Sequence, residues 1–481
     1  MIPIRATTFC LAIAAASLAA APVSPPAQLI GAPEPEIRGH VDAFVDALRG
    51  TSADAYEAMA QAHFSPALLA RATPAERRAM FERIRGDFGA VTVTTVRVVD
   101  GVASIAVRGA TGMAGRFALT LEPASPFRVT RLAVEVGDDG PAGGGETAAI
   151  ALKPDMAAAD MARTLDAWLQ PLVGRDAFAG VVLIARDGTP FVQRAYGLAD
   201  RESGLAAAAD MRFNLGSINK IFTKVAIGQL LAAGKLALTD TVGALLPDYP
   251  DTPARRATVD QLLNHRGGVA DFFGPAFDAA PKDRFRANAD YYRFVAGQPV
   301  RFEPGARQEY CNGCYIVLGA IVERVSGMPY ETYMAQRVFT PAGMKATGWG
   351  ATGASSPRTA TGYTRRAGPG LPDGPLHPNG SMHGSAGSAA GGGYSTAADL
   401  LAFDTALRTG VLLDAARTGW VLNGGPAGPG RARGGLGVAG GAPGINANLE
   451  SDGTWTIVVL ANLDPPAATS VGQAIRRALL Q

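Results

Sequence analysis

Between residues 151 and 481 the sequence places strand-like segments at both ends and helical periodicity between them, and that order dictates which strands must find each other. Residues 179–186 and 189–197 read as strands joined through Asp187-Gly188, a dipeptide suited to a tight hairpin turn. Further strands are predicted near 436–449 and 454–462, followed by a closing helix over Ala467–Leu480. Another helix is predicted over 155–170, ahead of the first hairpin. The pattern predicts an α+β domain: one antiparallel sheet flanked by helices, with a helical insert. A groove would lie where insert and sheet meet. The stretch Ala351–Gly393, dominated by Gly, Ser, Ala and Pro, is expected to form long loops over that groove.

At 481 residues the chain is long for one domain, and a second unit is predicted upstream. From Ile37 to Met59 the apolar spacing is helical, with Val41, Phe44, Val45 and Leu48 on one face, and a second helical stretch covers Pro74–Phe88. After Gly89 the period becomes two, giving strands over Val91–Val98, Val102–Val107, Phe117–Leu121 and Val129–Val136. Helices followed by a meander make residues 37–137 a small α+β domain, similar in pattern to NTF2-like domains; it could bind substrate, pair with a copy of itself or pack on its neighbour, the last being slightly favoured. A linker follows at 138–150, beginning in the Gly-rich run Gly137–Glu146, and the larger domain occupies 151–481. Residues 22–36 form a Pro-rich lead-in. Ahead of it, Arg5, the apolar run Phe9–Leu18 and Ala19-Ala20-Ala21 read as an export signal over residues 1–21, cut near Ala21. Cys10 lacks a lipid-attachment context. The expected location is the periplasm or the medium, without stable membrane insertion, since no other segment is long and apolar enough to span.

The chemistry concentrates in Ser217-Ile218-Asn219-Lys220, where a loop ending at Gly216 runs into a helix carrying Val225, Ile227, Leu230 and Leu231. Residues at i and i+3 share a helix face, so the Lys220 amine can reach the Ser217 hydroxyl. A serine is a weak nucleophile at neutral pH, and a lysine depressed in pKa by burial can accept its proton. The chain holds six lysines, and only Lys220 has a serine three residues before it. A second constellation, Glu309-Tyr310-Cys311-Asn312-Gly313, precedes an apolar helix through Ile316, Leu318, Ile321, Val322 and Val325.

Together these motifs resemble the serine beta-lactamase and penicillin-binding-protein superfamily, most closely its class C and esterase-like branch. Gly234–Val242, Leu262–Gly268 and Gly392–Leu400 are similar to family landmarks in the expected order, so the resemblance covers roughly 155–481. It implies that Ser217 is acylated, that Lys220 activates it, and that Tyr310 is a second base or the acid that protonates the leaving group. It also implies that Asn312 hydrogen-bonds the substrate. Two lysine-like charges near Tyr310 would lower its pKa. Family members carry Lys-Thr-Gly or His-x-Gly on the strand edging the cleft. The matching stretch is Gly437–Ala447, and Val438 stands where the Lys or His is expected. Valine offers neither charge nor hydrogen bond, so oxyanion binding would fall to backbone amides, that of Ser217 and one in Gly440-Gly441. Arg408-Thr409-Gly410 and Arg417-Thr418-Gly419 mimic the missing motif but read as helix ends.

The implied activity is that of an exported serine hydrolase cleaving an ester, amide or lactam carbonyl in a small-molecule or peptide-like acyl substrate. The absent cation tilts this towards esters. The rivals are a non-catalytic binding protein of the same fold and a penicillin-binding peptidase or beta-lactamase. Neither cofactor nor metal is implied: the five histidines lack metal-ligand spacing, and His265 reads as a packed or loop residue. With 44 basic and 42 acidic residues there is no steering field for nucleic acid, which is not expected as a partner. Cys311 and Cys314 could bond after export, but the favoured reading is two small buried residues, Cys311 standing where relatives often have serine.

Overall fold

The computed structural model describes residues 28–30, 35–70, 73–99, 101–109, 114–136, 150–349, 358–366, 373–422 and 435–480. The export signal, most of the Pro-rich lead-in and most of the linker lie outside them. Two compact units are present, Met1–Asp139 and Gly140–Gln481.

In the first unit the helix predicted over 37–59 is two helices, Pro35–Arg49 and Ala53–His63. Gly50 and Thr51 interrupt it, and the Ser52 Oγ accepts the Ala55 amide at 3.2 Å, capping the second helix. Val41, Phe44, Val45 and Leu48 are buried as their spacing requires. The helix Pro74–Phe88 and the strand Val129–Val136 fall on their predicted bounds. Four antiparallel strands form the meander, and a short strand, Gln28–Ile30, pairs parallel to Val91–Val99. Phe44, Tyr56, Phe81, Phe88 and Phe117 form an aromatic core beside a buried ion pair between Glu57 and Arg77.

The second unit is built on an antiparallel sheet of β1 Gly180–Arg186, β2 Thr189–Tyr196, β3 Leu436–Ala442, β4 Ile445–Ser451 and β5 Trp455–Ala461. Its order is β3-β4-β5-β1-β2, so the last three strands join the first hairpin through β5, as the sequence pattern predicts. Side chains alternate between sheet faces. Val182 and Ile184 of β1 pack with helices α1 Ala158–Gly174 and α5 Ala467–Leu479 in one core. Val181, Leu183 and Ala185 face the other, larger core of the helical insert. That insert includes α2 Asn219–Ala232 and α3 Asn312–Ser326, and α4 Ala397–Arg408 packs in the same core. Among the described residues no helix is long and apolar enough to cross a membrane.

The stretch 351–393, expected to form loops over the groove, is described only in part. Residues 350–357 and 367–372 lie outside the described set, and the rest includes a small hairpin, Tyr363–Arg366 with Asp373–Pro378. Its last part, Ser388–Ala390, is buried. Small residues there allow close backbone approach: a Cβ on Gly391 would meet the Gly216 carbonyl oxygen at 3.0 Å. The Arg-Thr-Gly mimics are helical: Thr418 lies within Ala415–Leu422, and Arg408 ends α4.

Candidate active site

Ser217 lies in a single 3-10 turn, Gly216–Ile218, that leads straight into α2. Gly216 adopts φ +49°, and a Cβ there would meet the Gly441 nitrogen at 2.8 Å. The turn is tied down on several sides. The Gly216 amide donates to Asn214 Oδ1 at 2.9 Å, the Leu215 amide to the Gly393 carbonyl at 2.8 Å, and the Gly393 amide to Asn219 Oδ1 at 3.2 Å.

Helical spacing then brings Lys220 Nζ to 3.0 Å from Ser217 Oγ. The amine also donates to Asn312 Oδ1 at 2.8 Å and to the Ala390 carbonyl at 2.6 Å. Only 7 % of Lys220 is exposed, and burial lowers its pKa to about 7, against the opposing pull of the Asp271 charge. The geometry suits proton transfer. A neutral amine has two N–H bonds, which Asn312 and Ala390 accept, leaving its lone pair for the serine proton.

Tyr310 immediately precedes the Cys311 cap of α3 and donates its hydroxyl to Ser217 Oγ at 2.6 Å. Its ring stacks on His265, with centroids 4.9 Å apart. The phenol is not lowered as expected; desolvation raises it to about 12, with the Ser217 hydrogen bond opposing. Two reasons account for the difference. Lys220 is the lysine that approaches, 4.8 Å from the ring centroid, and its own charge is weakened by burial; the other expected cation is replaced by Val438. Half of the Tyr310 surface is open, so water screens part of the upward effect. At neutral pH the tyrosine is therefore a proton donor. His265 is half-buried and held neutral, pushed down to about 4 by desolvation and the Lys220 charge, and its Nδ1 receives the Cys311 amide at 3.2 Å.

Asn312 is 92 % buried, and both ends of its amide are engaged: Oδ1 by Lys220, Nδ2 by the Asp271 carboxylate at 3.0 and 3.3 Å. Asp271 was not anticipated. It follows the Leu262–Gly268 landmark, and no local pattern joins it to Asn312, far along the chain. Cys311 and Cys314 also differ from the favoured reading, since they are joined in a disulfide across the first turn of α3. Spacing of i, i+3 at a helix start brings the two side chains together, with Cα atoms 5.3 Å apart.

The edge strand β3 closes the other side. Gly440 is buried, and a Cβ there would meet the Leu215 carbonyl oxygen at 2.0 Å and the Ser217 nitrogen at 2.7 Å. Gly441 is exposed next to it. The Gly440 carbonyl is held by Asn446 Nδ2 at 3.0 Å, and Asn446 Oδ1 receives the Ala468 and Thr469 amides at the start of α5. Val438, two residues before Gly440, is half-buried against the insert core and adds no charge to the cleft. Amine and phenol thus converge on Ser217 Oγ, while the glycine strand lies against the Ser217 backbone nitrogen. Among the described residues no cluster of His, Cys, Asp and Glu is set to hold a metal ion.

A family model described as Beta-lactamase matches residues 165–481. The putative penicillin-binding protein PbpX of Bacillus subtilis (strain 168) is 30 % identical over 239 residues, 49 % of this chain and 56 % of that protein. Esterase EstB of Burkholderia gladioli is 32 % identical over 206 residues, 40 % of this chain and 52 % of that protein. A solved penicillin binding protein from Bacillus halodurans superposes with a TM-score of 0.55 at 28 % identity, covering 64 % of this chain and 99 % of that one. The chain spans about half the length of these two curated relatives.

Proposed function

The chain belongs to the beta-lactamase family of serine hydrolases, and we propose that it cleaves esters of uncharged acids through an acyl-enzyme on Ser217. The observation that carries this reading is the Ser217 hydroxyl, held between a largely desolvated amine at 3.0 Å and a phenol at 2.6 Å. Lys220 takes the serine proton as Oγ attacks the carbonyl carbon. The carbonyl oxygen, now an anion, is received by the Ser217 and Gly441 amides, which need no side chain. Collapse of the intermediate breaks the bond to the alcohol, which leaves with the Tyr310 proton. Water then attacks the acyl carbon, its proton passing to the tyrosine, and the acid departs as Ser217 recovers its proton from Lys220.

The ester preference rests on Val438. Members with Lys or His there have a cation for a substrate carboxylate, and a charge-assisted hydrogen bond of that kind contributes about 1.5–3 kcal/mol. An esterase among the relatives supports the same direction. Export rests on the leader-like residues 1–21, and the N-terminal sequence of protein recovered from the periplasm or medium tests it; an uncut Met1 there removes that part.

A fluorophosphonate probe should add one adduct to the intact mass, abolished in Ser217→Ala; an unchanged adduct in that variant moves the nucleophile elsewhere. p-Nitrophenyl esters of neutral acids should be cleaved faster than penicillins, and Val438→His or Val438→Lys should shift the preference back by roughly tenfold or more. Efficient penicillin hydrolysis by the wild type, without gain in either variant, removes the ester preference. An adduct that forms with every ester and never turns over removes hydrolysis itself.

A further inference from the structure

We propose that Asp271 is a positioning residue for Lys220, acting through Asn312 to fix both the placement and the charge state of the amine. This rests on Lys220 being the base towards Ser217. Two features of the geometry point to it.

The first is the orientation of an amide. Asp271 Oδ2 accepts Asn312 Nδ2 at 3.0 Å and the Asn312 backbone amide at 3.3 Å. Its Oδ1 receives Nδ2 at 3.3 Å and the Phe273 amide at 3.1 Å. A carboxylate accepts only, so it draws the NH2 end of Asn312 towards itself and leaves Oδ1 facing Lys220 at 2.8 Å. Without the carboxylate nothing in this contact prevents the amide from turning over. Its NH2 would then confront the N–H bonds of the lysine, and the lone pair would no longer be aimed at Ser217.

The second is charge. A buried lysine loses its proton because the ammonium is poorly solvated, and a nearby anion restores part of what burial removes. The other groups facing the amine do not supply that. Tyr310 and Tyr315 present ring faces, with centroids 4.8 and 5.6 Å away. His265, on the loop before Asp271, is neutral, and its Nδ1 is taken by Cys311. Lys224, one turn along α2, is itself a cation whose pKa is lowered by burial. The segment at Ala390 offers a carbonyl. Asp271 is thus the anion that keeps both protonation states of Lys220 within reach at neutral pH, as an amine that takes a proton and returns it requires.

The test is the pH dependence of acylation in the full-length protein. The wild-type rate should rise with pH through about 7. In Asp271→Asn, similar in size but uncharged, that limb should move to lower pH by about half to one unit, and the plateau rate should fall about tenfold. Asp271→Glu keeps the charge and should keep the limb near its wild-type position at a reduced rate. A second readout does not depend on turnover. With six lysines in the chain, 13Cε-lysine spectra can follow the Lys220 midpoint directly, assigned by its loss in Lys220→Arg. A limb and midpoint that stay put in a folded Asp271→Asn, with only the rate reduced, would overturn the proposal and leave Asp271 a structural role. Should Asp271→Asn not fold, Asp271→Glu decides: a midpoint that falls although the charge is kept overturns it, and one that holds supports it. A wild type with no lysine titrating near 7 would instead bring down the assignment of Lys220 as base.

Discussion

Lys220 can serve a serine because the protein solvates its ammonium badly. The folded pKa near 7 means that the amine is increasingly neutral as pH rises through that value, and acylation needs it neutral. The rate should therefore climb from pH 6 to 8 and be lost on the acid side, with no matching fall below about pH 10, since Tyr310 holds its proton to about 12. A bell centred below pH 7 would mean that another group is the base. Lys220→Ala and Tyr310→Phe should each slow acylation by about a hundredfold or more, and the double variant should lose little beyond the worse single one. Simple multiplication of the two losses would show independent action. At this scale, what can be read from the sequence depends on reach. The Ser217–Lys220 contact is local, three residues along one helix, so spacing alone reveals it. Tyr310 enters through a motif. Val438 in place of a cation is legible in the sequence, but the raised pKa of Tyr310 is not, because it depends on how far the folded site desolvates the ring. Asp271 stayed hidden, because its link to Asn312 exists only after loop and helix have packed.

Elements were legible where period and turn chemistry agree. The Asp187-Gly188 hairpin, the strands around it and the closing helix stand within a residue or two of their predicted bounds. The long helix over 37–59 failed because apolar spacing continues across a break that Gly50 and the Ser52 cap impose. The region 436–449 resolves into two strands because Gly444 turns the chain at φ +69°. Edge strand β3 carries a consequence for activity. Gly440→Ala would drive a methyl group into the Leu215 carbonyl, which is backbone and cannot swing aside. The nucleophile turn must then move, so acylation should fall by at least about tenfold even where the variant stays folded. Normal activity in that variant would show that the strand and turn are less closely fitted than the structure has them. The first turn of α3 offers a separate test. Alkylation of the unfolded, unreduced protein should leave Cys311 and Cys314 unmodified, and prior reduction should add two groups. Labelling without reduction would return them to the pair of small buried thiols that the sequence favours.

On the scale of the whole molecule, the two units have separate hydrophobic cores, one running from Val41 to Val129 and the others lying beyond Ile150. Each buries enough apolar side chain to unfold cooperatively, so calorimetry should resolve two transitions. Their assignment follows from perturbations confined to one unit. Phe117→Ala, at a fully buried ring in contact with Phe44 and Phe88, should cost about 3–5 kcal/mol and lower only the N-terminal transition. Acid should act on the same transition. The Arg77 guanidinium holds the buried Glu57 carboxyl below its ordinary range, so the folded unit binds its proton less readily than the unfolded chain. That contribution is present above the unfolded pKa and is lost as pH falls through the folded one, so the N-terminal transition should move down on acidification. Glu57→Gln should flatten this dependence and lower the midpoint at neutral pH, because it removes the charge that Arg77 Nε and Nη2 face at 2.8 and 2.6 Å. Acylation of Ser217, in contrast, should shift the other transition alone. A single transition that Phe117→Ala and acylation both displace would mean that the units melt as one cooperative body.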